Sequence, residues 1–177
     1  IYDRSQENLV KQASQRALFD QIRRQIGSLY PLRPSAGFVM EEGQFGGPAN
    51  PIAQISQSRI PLFHGESDFV VFVTVAPLIL HENPGLTVVR YGLAQTEDGA
   101  YYLGAMETRY TGQASFIGMI ESPAGNPLPL VESVDRLSFE YYGYDPESQS
   151  YAWYNAWTGA ETMLTPQAIK IAFDEEY

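Results

Sequence analysis

Two histidines, 21 acidic residues, a few loop serines and a late cluster of aromatic rings are the groups in this 177-residue chain that could do chemistry. His64 lies near Glu66 and Asp68, and His81 sits beside Glu82. A two-histidine, one-carboxylate metal site would need both to converge. Each is expected instead in a turn between strands, where polar residues belong. A serine triad needs Ser, His and an acid together, but no Gly-x-Ser-x-Gly elbow exists, and Ser56-Gln57-Ser58 reads as polar loop. Gly43 with Gly46-Gly47 is followed by Pro48 and lacks a lysine, so it does not read as a phosphate loop. Paired carboxylates could hydrolyse glycosides, and oxygen clusters such as Asp145 with Glu147 suit calcium. That pair falls in a polar hairpin turn, Asp174-Glu175-Glu176 is a solvated end, and no EF-hand spacing occurs. No catalytic residue, metal or cofactor is therefore expected.

The aromatic cluster is the stronger binding signal. Half of the twelve tyrosines and both tryptophans lie between Phe139 and Tyr177. In the run 151–157 a regular strand would put Tyr151, Trp153, Asn155 and then Trp157 on one face. Rows of exposed rings stack sugars or anchor partner proteins, so Tyr151, Trp153 and Trp157 are candidate ligand or partner residues. Packing of one such face into the core is the competing expectation.

Composition narrows the classes further. The net charge is −10, which disfavours general binding to a nucleic-acid backbone. The charge is uneven. Residues 1–34 hold six bases against three acids, net +3, and the remainder holds five bases against 18 acids, net −13. The absence of cysteine removes disulfides, thiolate metal sites and cysteine nucleophiles. No stretch approaches the ~18–20 uninterrupted apolar residues of a membrane span, and none reads as a signal peptide.

The elements that must position these groups follow from periodicity. Val10, Ala13, Ala17, Leu18, Ile22, Ile26 and Leu29 recur at helical spacing, predicting a helix over 3–30 that Pro31 closes. Residues 31–61 are a Pro/Gly-rich loop with one short strand expected at Gly37–Met40. Strands are expected at 68–76, 86–95, 100–110, 134–144, 151–157 and 168–174, with turns at Asn83-Pro84-Gly85, Glu97-Asp98-Gly99 and 145–150. Segment 112–133 reads as loop and edge. The expected fold is α+β in a single domain over 1–177: one long N-terminal amphipathic helix (1–30) packed against antiparallel β-sheet in a β-rich body over 62–177.

Several segments, in their order, resemble the J component of the type II secretion minor pseudopilins. They are Gln15–Leu32 (QRALFDQIRRQIGSLYPL), Phe63–Leu78 (FHGESDFVVFVTVAPL), Val88–Leu93 (VVRYGL), Leu130–Tyr144 (LVESVDRLSFEYYGY) and Ala168–Phe173 (AIKIAF). The resemblance implies a pilin-like fold and a function in assembly, not catalysis. It also implies an apolar helix of about 20 residues preceding Ile1, which anchors a periplasmic domain in the bacterial inner membrane. The protein would then sit near the tip of a periplasmic pseudopilus that exports folded proteins, pairing its helix with other minor pseudopilins and possessing contacts with exoprotein cargo. The helix residues expected at that interface are Val10, Ala13, Arg16, Ala17, Ile22 and Arg23. A minor pilin of a type IV pilus shares the plan, and a carbohydrate-binding module using Trp153 and Trp157 is the alternative from a different class.

Overall fold

In a computed structural model, which describes residues 2–29, 61–80, 85–146 and 148–175, the β-branched and aromatic runs form strands and the alternating ones form a separate sheet. In chain order the elements are α1 (Tyr2–Gly27), β1 (Phe63–Gly65), β2 (Phe69–Thr74), β3 (Thr87–Gln95), β4 (Tyr101–Arg109), α2 (Gln113–Glu121), β5 (Leu128–Glu132), β6 (Val134–Asp145), β7 (Ser150–Tyr154), β8 (Trp157–Thr158), α3 (Gly159–Thr162) and β9 (Ala168–Glu175). The strands build a six-stranded sheet in the order β5-β4-β3-β2-β1-β8 and a three-stranded sheet in the order β7-β6-β9. Every pairing is antiparallel.

The six-stranded sheet is covered on both faces. On one side Val70, Phe72, Val89, Tyr91, Leu103 and Ala105 meet the inner face of the smaller sheet (Leu137, Phe139, Tyr141) together with Ile22 of α1. On the other side Val71, Val73, Val88 and Met106 pack on Phe116 and Met119 of α2. This explains why β2 reads as a continuous apolar run: its burial is complete from Val70 to Thr74. Arg90 fastens α2 to this face. Its guanidinium lies 3.8 Å from the Phe69 ring centroid and donates to the carbonyls of Met119 and Ile120 at the helix end. Burial pulls the Arg90 pKa below its ordinary value, against the opposing influence of Asp68.

The two sheets touch through aromatic rings set against glycines. A Cβ on Gly65 would overlap the Tyr141 ring, and one on Gly143 would overlap the Trp157 indole. Tyr141 meets Phe63 edge-on with centroids 5.7 Å apart, and its hydroxyl donates to the carbonyls of Glu66 and Phe69.

The structure overturns the expected fold class. The described residues are mostly antiparallel β-sheet, with strand well in excess of helix, so the helix is an attachment to a β body and not a layer spanning it. α1 has 26 residues, and among the described residues a short segment near its C-terminal end docks on the body. Within it Leu18, Phe19, Ile22 and Ile26 turn to the core. The physical reason is that the stripe is not sustained: Ala13 and Ala17 are exposed and a glutamine, Gln25, takes a buried position. Among the described residues there are nine strands in two sheets, where about six were expected. Segment 112–133, expected to be loop and edge, contains α2, whose Phe116, Met119 and Ile120 carry a short helical period, and then the edge strand β5. The expected strand over 151–157 is divided. It ends at Tyr154, and Trp157 starts a strand of the other sheet. The strand expected at 37–40, most of the 31–61 loop, and residues 83 and 84 of the turn over 83–85 lie outside the described residues.

Candidate functional site

Two surfaces carry unabsorbed chemistry: the open side of α1 and the outer face of the three-stranded sheet. The helix is held by a buried polar clamp at its last turns. Glu107, on β4, accepts the backbone N–H groups of Leu78, Ile79 and Leu80 at 2.6, 2.8 and 2.9 Å. It also accepts Gln25 Nε2 at 2.7 Å, and the same Nε2 donates to the Ala76 carbonyl. The Gln25 Oε1 accepts the Tyr91 hydroxyl. Thr74 Oγ1 donates to the carbonyls of Gln25 and Ser28, and Leu29 bridges to Thr74. A single carboxylate thus satisfies three successive loop amides and the helix side chain, the geometry of an anion nest whose anion is internal. Burial, followed by the nearby Glu107 charge, pushes the Tyr91 pKa well above its ordinary value, so this phenol remains a donor throughout the neutral range.

With its inner side fixed, α1 leaves Ala13, Arg16, Ala17, Asp20, Gln21, Arg23 and Arg24 exposed. Arg23 and Asp20 approach to 3.5 Å with side chains 81% and 62% exposed, which contributes little to stability. A shallow cavity of about 200 Å³ adjoins this side, lined by Gln21, Arg24, Gln25 and residues 76–78. Of the helix residues expected at a partner interface, Ala13, Arg16, Ala17 and Arg23 are therefore accessible. Ile22 is not: it is 2% exposed and belongs to the core, because it falls on the same side as Leu18 and Gln25. The Val10 side chain lies outside the described ones.

The second surface arises from register. Tyr142 pairs with Trp153, and Tyr144 with Tyr151. All four rings therefore stand on one face, opposite the buried Tyr141 and Phe139. Their centroids run Tyr144–Tyr151 5.3 Å, Tyr151–Tyr142 6.0 Å and Tyr142–Trp153 5.3 Å. Tyr151 and Trp153 are about half exposed. Trp157, expected in the same row, is 3% exposed, with its Nε1 donating to the Leu164 carbonyl. The bend after Tyr154 sends it to the other sheet. Tyr142 and Tyr144 were missed as site residues, although their alternation with Phe139 and Tyr141 carried the signal.

The remaining chemical groups are dispersed. His64 lies within β1, not in a turn, paired across to Val71 and Thr158. Its Nε2 is 3.2 Å from Glu66, and its ring stacks on Phe69. Asp145 accepts the Ser148 N–H within the turn. Residues 56–58, His81 and Glu147 lie outside the described residues. Among the described residues no group of three His, Cys, Asp or Glu could hold a metal, and no helix is long and apolar enough to cross a membrane. Compared with known proteins, the chain matches no family model, no curated protein and no solved structure.

Proposed function

We propose that this chain is a non-enzymatic assembly subunit: a minor pseudopilin of a type II secretion system, of the J kind, that joins other minor pseudopilins through α1 near the tip of a periplasmic filament. The observation that carries this reading is the clamped helix with an open side. Gln25, Glu107 and Thr74 tie the end of α1 to the sheet. Ala13, Arg16, Ala17 and Arg23 face outward from it. Small residues allow a second helix to approach closely, and the arginines add a charge preference that fixes partner choice. The segments that carry the family resemblance support the same reading, since they coincide with the docking part of α1 and with β1–β2, β3, β6 and β9. The function further requires an apolar segment continuing α1 into the inner membrane, and it leaves cargo contacts to the acidic body.

The test is co-purification of the tagged chain with the minor pseudopilins encoded in the same genome. A stoichiometric heterocomplex is expected, and Ala17→Arg is expected to weaken it at least tenfold while leaving the circular dichroism spectrum unchanged. Failure of the unaltered chain to bind any of those proteins, or full assembly by the Ala17→Arg variant, would overturn the proposal.

A further inference from the structure

Each buried Tyr or Trp with a polar tip satisfies that tip inside the protein. The Tyr91 hydroxyl donates to Gln25, Tyr102 to Pro127, Tyr141 to Glu66 and Phe69, and the Trp157 indole N–H to Leu164. The outer face of the three-stranded sheet differs. Tyr142 stacks on Tyr151, and Trp153 and Tyr144 lean on these two rings at interplanar angles of 48° and 57°, yet among the described residues none of the four hydroxyl or N–H groups has a hydrogen-bond partner. Four donors therefore remain available around a continuous hydrophobic ribbon, the pairing of properties that a hydroxylated ligand with apolar ring faces requires.

The charge on and around the ribbon limits what that ligand can be. The neighbouring Glu140 and Lys170 are paired with each other, so the face presents no uncompensated charge of its own there. The chain as a whole carries −10, which repels polyanions such as nucleic acids. The ribbon's shape limits it further. β7 is an edge strand of its sheet, and on β9 the residue across from Tyr142 is the small Ala168. The Ser148 and Ser150 hydroxyls, 2.9 Å apart, extend the polar rim beside Tyr151. We propose that this ribbon binds an extended, uncharged polysaccharide, with successive pyranose rings stacking on Tyr144, Tyr151, Tyr142 and Trp153 and their hydroxyls meeting the phenols and the indole N–H. The site is separate from α1 and does not depend on the assembly function proposed above.

The experiment is affinity electrophoresis of the full chain through native gels cast with hydroxyethylcellulose, laminarin, galactomannan or dextran, with alginate as the anionic control. At least one neutral polymer is expected to retard the chain and shift its tryptophan emission, with alginate doing neither. Trp153→Ala and Tyr151→Ala are expected to weaken retardation about tenfold, and Trp153→Phe, which keeps a ring, to retain most of it. Ala17→Arg is expected to leave it unchanged, which separates this site from the helix. Both ribbon variants alter half-exposed side chains, and unchanged circular dichroism establishes that they fold. Absence of retardation by all four neutral polymers, equal retardation by alginate, or retardation undiminished in both alanine variants would each overturn the proposal. So would protection of Trp153 from acrylamide quenching by a protein partner and by none of the polymers.

Discussion

The six-stranded and three-stranded sheets share a core but differ in what meets their other faces. In the larger sheet both faces are covered, and β2 is apolar without alternation. In the smaller sheet one face is covered, and β6 alternates between buried and half-buried residues from Leu137 to Tyr144. Toward β7 the outward positions hold the rings of Tyr142, Tyr144, Tyr151 and Trp153, and the charged residues beside them, Glu140 and Lys170, are paired with each other. A sheet with a finished outer face uses its rings as core, whereas a sheet with an open one displays them. Trp157 and Trp153, four residues apart, fall on the two sides of this difference.

The largest effect is expected where the two sheets meet. Trp157→Ala removes the indole that fills the space above Gly143, and a loss of about 3–5 kcal/mol in urea unfolding is expected. Glu107→Ala leaves three loop amides and Gln25 without their acceptor. A loss of about 2–3 kcal/mol is expected, with new protease cleavage in 76–80. Tyr141→Phe removes the two hydrogen bonds that tie the sheets together, and about 1–2 kcal/mol of stability is expected to go with them at neutral pH. The same variant tests the pH dependence. Burial first, then the Glu66 and Asp68 charges, raises the Tyr141 pKa above the ordinary 10.0. This contribution is fully present below pH 10 and is lost as pH rises from there toward the folded-state value, so the alkaline decline in melting temperature is expected to be shallower in Tyr141→Phe. The smallest effects belong to the open face. Trp153→Ala and Lys170→Ala are each expected to change stability by about 0.5 kcal/mol or less. A Trp153→Ala loss equal to that of Trp157→Ala would erase the distinction between the sheets.

Much of the strand order was legible because strands advertise themselves by local period: β2, β3, the turn at 97–99 and β6 all fall near their expected places. What was not legible depends on contacts far apart in sequence. Ile22 and Ala17 have the same helical period, and only docking against β2–β4 decides that the first is core and the second open. Gln25 and Glu107, 82 positions apart, carry no local mark of their pairing. Trp157 follows Trp153 at an even spacing, so alternation alone keeps it in the same row, and the bend at 155–156 is what removes it. Helix α2 was hidden by the glycines and prolines around it, although Phe116, Met119 and Ile120 already sketch its buried side.

The assembly function rests on which side of α1 is open, and in-cell photo-crosslinking tests that most directly. A photoreactive amino acid at position 17 is expected to crosslink to another minor pseudopilin, and the same group at position 22 is expected to crosslink only within the chain. Crosslinks to partner proteins from position 22 and none from position 17 would contradict both the docking of α1 and the function built on it.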